Sequence, residues 1–324
     1  MHDSHTERMS GTETRAAVGL SLVFAFRMLG MFMVLPVLAT YGQDLAGATP
    51  ALIGLAIGAY GLTQAILQIP FGTISDRIGR RPVIVVGLLI FAAGAALAAN
   101  ADSIWGVIAG RVLQGAGAIS AAVMALLSDL TREQHRTKAM AMIGMSIGVS
   151  FAVAMVLGPV LTHLFGLHGL FWFTAGMALV GLLLILFFVP QPDHMTQHRE
   201  SSVARQALLP TLKHGDLLRL DAGILILHAI LMASFVALPL ALVHEGGLPK
   251  EQHWWVYLTA LLVGFFGMVP FIIYAEKKRR MKRVLTGAVA TLLACELFFL
   301  VFGHSLAMLV VGTVVFFTAF NLLE

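Results

Sequence analysis

The sequence predicts an all-helical integral membrane protein that crosses the bilayer about ten times. First, hydrophobic residues make up 58% of the 324 residues and charged residues only 12%, and the mean hydropathy is +0.88. A water-soluble domain of this size needs more charge to cover its surface. Second, the apolar residues form runs of about 20 residues, the length that a helix needs to cross the hydrocarbon core. Third, glycine is abundant, with 32 residues, and small residues let membrane helices pack closely.

The apolar runs define the predicted spans, which we number span 1 to span 10 in chain order. They lie at about 16–41, 51–74, 83–99, 104–127, 139–161, 169–189, 217–243, 253–274, 284–302 and 304–323. The first run is too long for the apolar core of a cleavable signal peptide, and no small-residue cleavage pattern follows it. We therefore interpret it as a membrane span.

The basic residues predict the orientation of the spans. Nearly all of the 21 Lys and Arg residues lie before span 1 or in every second loop after it, and only Lys250 lies in an alternate loop. The positive-inside rule therefore predicts a cytoplasmic N-terminus. Four tryptophans lie near the predicted outer ends of spans, at headgroup level: Trp105, Trp172, Trp254 and Trp255. Because the basic residues form short clusters beside the spans, nucleic acid is not an expected partner despite the net charge of +4.

A long polar stretch divides the chain into two unequal parts. We predict a first half of six spans at 1–189, a cytoplasmic linker at 190–216, and a second half at 217–324 that holds about four spans. A second half of four spans beside a first half of six leads us to expect that two helices are missing from it. Repeated six-helix halves with a substrate site between them are typical of several transporter folds.

The two halves share a weak internal repeat around the loop that follows their second span. An acidic residue and then basic residues follow a Pro-Phe pair at the same spacing in both halves. The matched residues are Pro70 with Pro270, Phe71 with Phe271, Asp76 with Glu276, Arg77 with Lys277, and Arg80 with Arg280.

The loop between spans 2 and 3 carries the most specific motif of the chain. It reads Gly72-Thr73-Ile74-Ser75-Asp76-Arg77-Ile78-Gly79-Arg80-Arg81-Pro82. This resembles the signature loop of the major facilitator superfamily, G-x-x-x-D-R-x-G-R-[RK], at every fixed position. Asp76 and Arg77 can pair with neighbours at helix ends, and Asp129, at the cytoplasmic end of span 4, is a candidate partner. The resemblance implies that this network locks the two halves together in the outward-facing state, with Asp76 near the start of an eleventh span. The alternative is that the loop only determines topology.

Two further patterns are similar to this superfamily. Span 4 contains Arg111-x-x-Gln114-Gly115, and span 5 ends in Gly158-Pro159 as in antiporter members. Glycines of the antiporter pattern are replaced by Met145 and Ala154, which weakens that inference. From about residue 15 to the end, the chain is similar to bacterial drug–proton antiporters that have twelve spans and a small soluble domain after them. The resemblance implies the major facilitator fold, two six-helix halves, here reduced to about ten helices.

Arg27 in span 1 and Arg111 in span 4 are the leading candidates for the substrate and proton pathway. Placing an arginine at membrane depth costs at least about 2.5–3.5 kcal/mol, so each should face a polar cavity or a partner. Gln114 shares a helix face with Arg111. The structural alternative is that an arginine caps the carbonyl groups of a broken helix.

Other polar residues within the spans are weaker candidates. Tyr60 and Gln64 lie one helical turn apart in span 2, where hydrogen bonding between helices explains them equally well. His228 in span 7 could titrate near neutral pH but is more often a packing residue. Glu296 is the deep acid, although the resemblance places its span at the periphery. Gly144, Gly148 and Ala152 in span 5 are expected to support close helix packing.

The leading hypothesis for function is proton-coupled export of small lipophilic molecules by alternating access. The small molecule, protons and the lipid bilayer are the expected partners, and we expect a monomer without a metal or cofactor. An importer of a small anionic metabolite is the main alternative, because the embedded arginines suit an anion. No catalytic motif is present, which argues against a membrane-embedded enzyme. An inactive fragment remains a further alternative.

Overall fold

The computed structural model describes residues 9–191 and 214–324. These residues form helices that match the predicted spans and extend most of them at their ends. In chain order the helices are Gly11–Phe32 and Leu35–Tyr41 (span 1), Pro50–Ile78 (span 2), Arg80–Ala99 (span 3), Ile104–Ala116 and Ser120–Asp129 (span 4), Glu133–Leu183 (spans 5 and 6), Gly215–His244 (span 7), His253–Lys277 (span 8), Met281–Phe302 (span 9) and Leu306–Leu323 (span 10). Most of the predicted linker lies outside the described residues.

Spans 5 and 6 follow each other without a loop. An unbroken helix of 51 residues would extend roughly 75 Å at about 1.5 Å per residue, far more than a bilayer core of about 30 Å. Gly166 interrupts it with φ 69° and ψ −179°, which a helix does not contain. The described part of the chain has nine helices long and apolar enough to cross a membrane, and one of them, kinked at Gly166, is long enough to cross it twice. The prediction of about ten crossings is therefore confirmed.

Spans 1 and 4 are each broken in the middle, which the sequence analysis did not predict. In span 1 the helix ends at Phe32 and restarts at Leu35, where Pro36 lacks the N–H that would bond to the preceding turn. In span 4 the chain leaves the helix at Gly117, with ψ 51°, and restarts at Ser120. Both breaks expose carbonyl groups that need a donor.

Glycines bring spans 3 and 4 into close contact. A Cβ atom on Gly94 would lie 2.5 Å from the backbone nitrogen of Gln114, and one on Gly110 would lie 2.7 Å from the carbonyl oxygen of Gly94. Only a residue without a side chain fits between backbones at these distances. Close backbone approach thus fixes span 4, and with it Arg111 and Gln114.

The apolar core is divided along the membrane normal. We call the end of the bundle that carries the arginine-rich loops the basic end, and the other the opposite end. Towards the opposite end, buried residues of both halves form one cluster, which includes Leu38, Met155, Phe235 and Tyr257. At the basic end, the buried cluster contains first-half residues only, such as Leu20 and Ile84. The two halves are therefore packed together at the opposite end.

Candidate functional site

Arg27 holds the break in span 4. Its side chain is fully buried, and Nη2 donates hydrogen bonds to the carbonyl oxygen of Gly117 at 3.1 Å and to Oε1 of Gln64 at 3.0 Å. Nη1 lies 3.4 Å from Oγ of Ser120, the first residue of the restarted helix. Arg27 therefore caps a broken helix, which is the structural alternative considered for it. It also ties spans 1, 2 and 4 together.

Arg111 and Gln114 form a second buried pair within the first half. The Arg111 side chain is 1% exposed, and Nη1 donates to Oε1 of Gln114 at 3.0 Å. Nε donates to the carbonyl oxygen of Ala56 in span 2 at 3.3 Å. No carboxylate pairs with Arg27 or Arg111 among the described residues. Their described acceptors are neutral amide, carbonyl and hydroxyl oxygens, and Nε of Arg27 is buried without a described partner.

Tyr60 lies between the two arginines. The guanidinium carbon of Arg111 is 4.7 Å from the centre of the Tyr60 ring, and that of Arg27 is 5.8 Å away. The negative face of an aromatic ring stabilises a nearby cation in a buried environment. The structure thus brings together five of the predicted pathway residues, which are Arg27, Tyr60, Gln64, Arg111 and Gln114.

His228 and Glu296 lie apart from this cluster, in the second half. His228 is exposed, its Nδ1 lies 3.0 Å from the carbonyl oxygen of Ile224, and its ring centre lies 5.9 Å from that of Phe320. Glu296 borders a cavity of about 140 Å³ that is lined by residues of spans 7, 9 and 10, among them Ser234. This cavity lies inside the second half.

The motif loop builds a charged network within the first half. Arg80 pairs with Asp76 one turn earlier, and its Nε lies 3.5 Å from Oδ2 of Asp129 in span 4. Arg81 donates to the carbonyl oxygen of Leu186 at the end of span 6. Gly79 has φ 102°, so a residue without a Cβ atom is favoured at this turn. The network connects spans 2, 3, 4 and 6.

The remaining motif residues occupy the surface of the loop. Asp76 is 38% exposed at its side chain, Arg77 is exposed, and Gly72 lies close to span 4, where an added Cβ atom would meet that of Ala121 at 3.4 Å. Across the described residues, Asp76 pairs with Arg80 and with no residue of the second half.

A buried carboxylate at the start of span 1 was not recognised from the sequence. Glu13 is 5% exposed and accepts three hydrogen bonds from Arg132, two of them from the guanidinium group and one from the backbone N–H, each at 2.9 Å. Its other contact is the backbone N–H of Ser10, in a capping box. Hydrogen bonding to the carboxylate raises the pKa of Arg132. The spacing of a serine and a glutamate before an apolar run was the signal that could have identified it.

Aromatic side chains meet where the two halves join, a second feature that the sequence analysis missed. The Phe151 ring of span 5 lies 5.0 Å from Phe32 of span 1, 6.2 Å from Phe235 of span 7 and 6.3 Å from Phe317 of span 10. Tyr257 of span 8 lies 6.0 Å from Phe235. These residues are far apart in the sequence, so no local pattern could indicate that they meet.

Span 5 shows how the contact between the halves ends. Met155 and Phe151 lie on one face of the helix. Phe151 contacts Phe235 of the second half, and Met155 belongs to the buried cluster that both halves share. Gly148 and Gly144 continue the same face towards the basic end, and nothing lies within 4 Å of a Cβ atom built on either glycine. The expectation that this stripe supports close packing is therefore wrong for both glycines in this conformation. The halves are separated towards the basic end.

Gly158 is packed tightly, in contrast. A Cβ atom there would lie 2.6 Å from the carbonyl oxygen of Met33, at the break in span 1. The Gly158-Pro159 pair thus lets span 5 cross the broken part of span 1 at close range. Across the halves, Nζ of Lys250 lies 3.7 Å from Oδ2 of Asp44 and 4.2 Å from the centre of the Tyr41 ring.

Two helical halves that meet at one end of the bundle, with buried arginines inside one of them, define a multi-pass membrane transporter. The chain belongs to the major facilitator superfamily, because the model of the Major Facilitator Superfamily matches residues 20–323. This membership confirms the predicted fold class, and its relatives are transporters and not enzymes.

Individual relatives agree with this assignment. The chain is 55% identical over 317 residues to the inner membrane transport protein YajR of Escherichia coli strain K12. The aligned region covers 98% of this chain and 70% of YajR. It is 34% identical over 180 residues to the multidrug resistance protein MdtL of Klebsiella pneumoniae strain 342, covering 53% of this chain and 44% of MdtL.

A solved structure supports the same fold. A bacterial homolog of the human lysosomal transporter Spinster, in an inward-facing and occupied conformation, superposes with a TM-score of 0.73 at 15% sequence identity. The match covers 98% of this chain and 74% of that protein. At this identity the likeness shows the fold alone.

Proposed function

We propose that the protein exports small lipophilic molecules across the inner membrane in exchange for protons, by alternating access. The observation that carries this proposal is the aromatic cluster where the halves meet, formed by Phe32, Phe151, Phe235 and Phe317. Aromatic and aliphatic side chains favour ligands with apolar surface. The similarity to a multidrug resistance protein and to an inner membrane transport protein supports the same substrate class and membrane.

The proposed orientation places the N-terminus and the basic end in the cytoplasm, by the positive-inside rule. The described conformation then opens towards the cytoplasm, where an exporter takes up its substrate. Closure of the basic end and opening of the opposite end would complete the cycle. We propose that a single chain does this, since the pathway residues that the structure brings together belong to one half of one chain.

The buried arginines are proposed to serve different purposes within this cycle. Arg111 is assigned to proton coupling or to contact with the substrate, because its fixed charge has no carboxylate partner among the described residues. Arg27 is assigned to positioning, because it donates to Gly117 and Ser120 at the break in span 4. It would thereby fix the helix segment before the break, which carries Arg111 and Gln114. His228 and Glu296 are kept as weaker candidates for proton binding, outside the arginine cluster.

The motif loop is proposed to act as a gate. The half-exposed carboxylate of Asp76 at the basic end is available to the second half when that end closes, while Arg80 holds the loop on Asp129. An Asp76→Asn variant should insert normally and lose transport. Normal transport by that variant would leave the loop as a topology determinant only.

Import of a small organic anion is the second candidate function. The observation that favours it is the presence of two buried guanidinium groups that no described carboxylate neutralises. An anion in the central pathway would gain more from this positive potential than a cationic drug. The two candidates predict opposite responses to a panel of charged compounds.

Proton flux in everted membrane vesicles tests the proposal. Lipophilic cations, neutral drugs and organic anions are added in turn to vesicles that have built up a pH gradient. Collapse of the gradient by a lipophilic compound is expected, and Arg111→Ala should abolish it. The matched control is Arg136→Gln, an exposed basic residue at the start of span 5. Uptake of a labelled anion, without any response to lipophilic compounds, would establish the import function instead.

A further inference from the structure

The loop between spans 8 and 9 is the most strongly charged surface in the described part of the chain. All but one of the residues 277–283 are Lys or Arg, and every one of the seven is exposed. Among the described residues, none of these cations forms an ion pair with an acidic residue. The loop therefore presents a dense positive charge that the described protein does not neutralise.

The equivalent loop of the first half uses its charges differently. There Arg80 is held by Asp76 and Asp129, and Arg81 donates to the end of span 6. These arginines hold the protein together. The cations of the second loop make no comparable contacts with the rest of the described protein. Only Arg280 has a described side-chain contact, to the hydroxyl of Tyr274 at 3.4 Å.

Arg279 has a strained backbone conformation, and a strained residue that is kept at an exposed position indicates a role for its charge. Span 8 ends with hydrogen bonds from the N–H of Arg280 to the carbonyl of Ala275, at 2.9 Å, and from the N–H of Arg279 to that of Glu276, at 3.2 Å. Arg279 takes φ 51° in this turn, at the position where helices usually end with glycine. The first half has Gly79 at the matching place in the repeat, with φ 102°. The second half thus keeps a cation where glycine would be less strained.

The position of the loop identifies the partner chemistry. The helix ends on both sides expose apolar side chains, with Phe271 51% exposed, Tyr274 45% exposed and Met281 48% exposed. Such side chains face lipid, and a tyrosine at a helix end marks the headgroup region. The hydrogen bond from Arg280 to Tyr274 holds a guanidinium group at that level.

We propose that residues 277–283 form a binding site for anionic phospholipid headgroups. The phosphodiester groups would accept hydrogen bonds from the exposed Lys and Arg side chains, in a leaflet whose negative potential attracts such clusters. This site is separate from the pathway between the halves and does not depend on which substrate is transported.

Thermal unfolding of the purified chain in mixed micelles tests the site. Phosphatidylglycerol should raise the unfolding midpoint of the wild type by several degrees relative to phosphatidylcholine, and high salt should remove that shift. Lys278→Gln/Arg279→Gln should lose at least half of it. The matched control Arg136→Gln/Lys138→Gln removes two exposed cations elsewhere at the basic end and should keep it.

Other outcomes would overturn the site. Equal shifts in the two double variants would indicate a general effect of charge. A full shift with inorganic phosphate or glycerol phosphate would indicate a site for soluble anions. A salt-sensitive stabilisation in phosphatidylcholine alone, lost in Lys278→Gln/Arg279→Gln, would indicate that the loop pairs with acidic residues of the chain itself.

Arg279→Gly separates the structural effect from the binding effect. Glycine relieves the left-handed backbone, so the unfolding midpoint in phosphatidylcholine should rise. The shift caused by phosphatidylglycerol should fall, because one cation is lost. A variant that gains stability and keeps the full lipid shift would show that Arg279 does not bind the headgroup.

Discussion

The two halves of the protein are built by different means. The first half is tied together by buried polar groups, in which Arg27, Arg111 and Glu13 each contact a second span or loop. The described second half has a core of apolar and aromatic side chains around Phe235 and Tyr257. Span 1 buries 67% of its most apolar window, whereas span 9 buries 17%.

The difference shows how a membrane protein can fix a structure without a hydrophobic driving force. In lipid, apolar side chains gain little by leaving the bilayer for a protein interior, so close backbone contact and polar bonds decide which helices associate. The first half has both. Substitutions at the buried first-half contacts named below should therefore have larger effects than their controls at open or exposed positions of the second half.

The largest effect is expected from a side chain placed between spans 3 and 4. Gly94→Val would bring its Cβ atom against the backbone of span 4, which cannot move aside, and should lower the free energy of unfolding by about 3 kcal/mol or more. The matched control is Gly287→Val in span 9, where nothing lies within 4 Å of the new Cβ atom. Thermal unfolding in detergent measures both, and equal losses would contradict the comparison.

A smaller loss is expected when the break in span 4 loses its cap. Arg27→Leu leaves the Gly117 carbonyl and the Gln64 amide without their donor, and should cost about 2–3 kcal/mol of stability as well as transport. Arg27→Lys should restore part of both. Arg219→Leu, which removes an exposed pair with Asp216 in the second half, should change the unfolding midpoint little. A large loss from Arg219→Leu would remove the contrast.

The contact between span 1 and the loop before span 5 should contribute less. Glu13→Ala removes the bonds to Arg132 and the bond to the N–H of Ser10, with an expected loss of about 2 kcal/mol. Glu245→Ala, which removes an exposed contact with His304 in the second half, is the control and should be near neutral. Chemical denaturation gives both values on one scale.

The smallest effect, of opposite sign, is expected in the second half. The hydroxyl of Tyr257 is buried and has no described partner, so Tyr257→Phe removes an unsatisfied polar group. Stability should rise by up to about 1 kcal/mol, whereas Tyr274→Phe at an exposed position should change it less. A clear loss from Tyr257→Phe would show that its hydroxyl has a partner.

Much of the candidate site could be predicted from the sequence, because a charge within an apolar run has few explanations. Arg27 and Arg111 were selected in this way, and Gln114, Tyr60 and Gln64 were selected as polar residues one helical turn from another polar residue. The five meet in one cluster. The sequence alone could not distinguish helix capping by Arg27 from a direct role of Arg27 in transport. That choice depends on the break at Gly117, which local composition did not indicate.

The sequence by itself determined the approximate number of spans and the motif loop, since apolar run length and charge placement act locally along the chain. Only the tertiary structure decided which residues meet between the halves and at which end the halves separate. The contacts of Phe151 with Phe235 and Phe317 join spans distant in sequence, and Gly144 and Gly158 of one helix differ in packing. Such contacts depend on how rigid halves are placed against each other, and no local pattern encodes that placement.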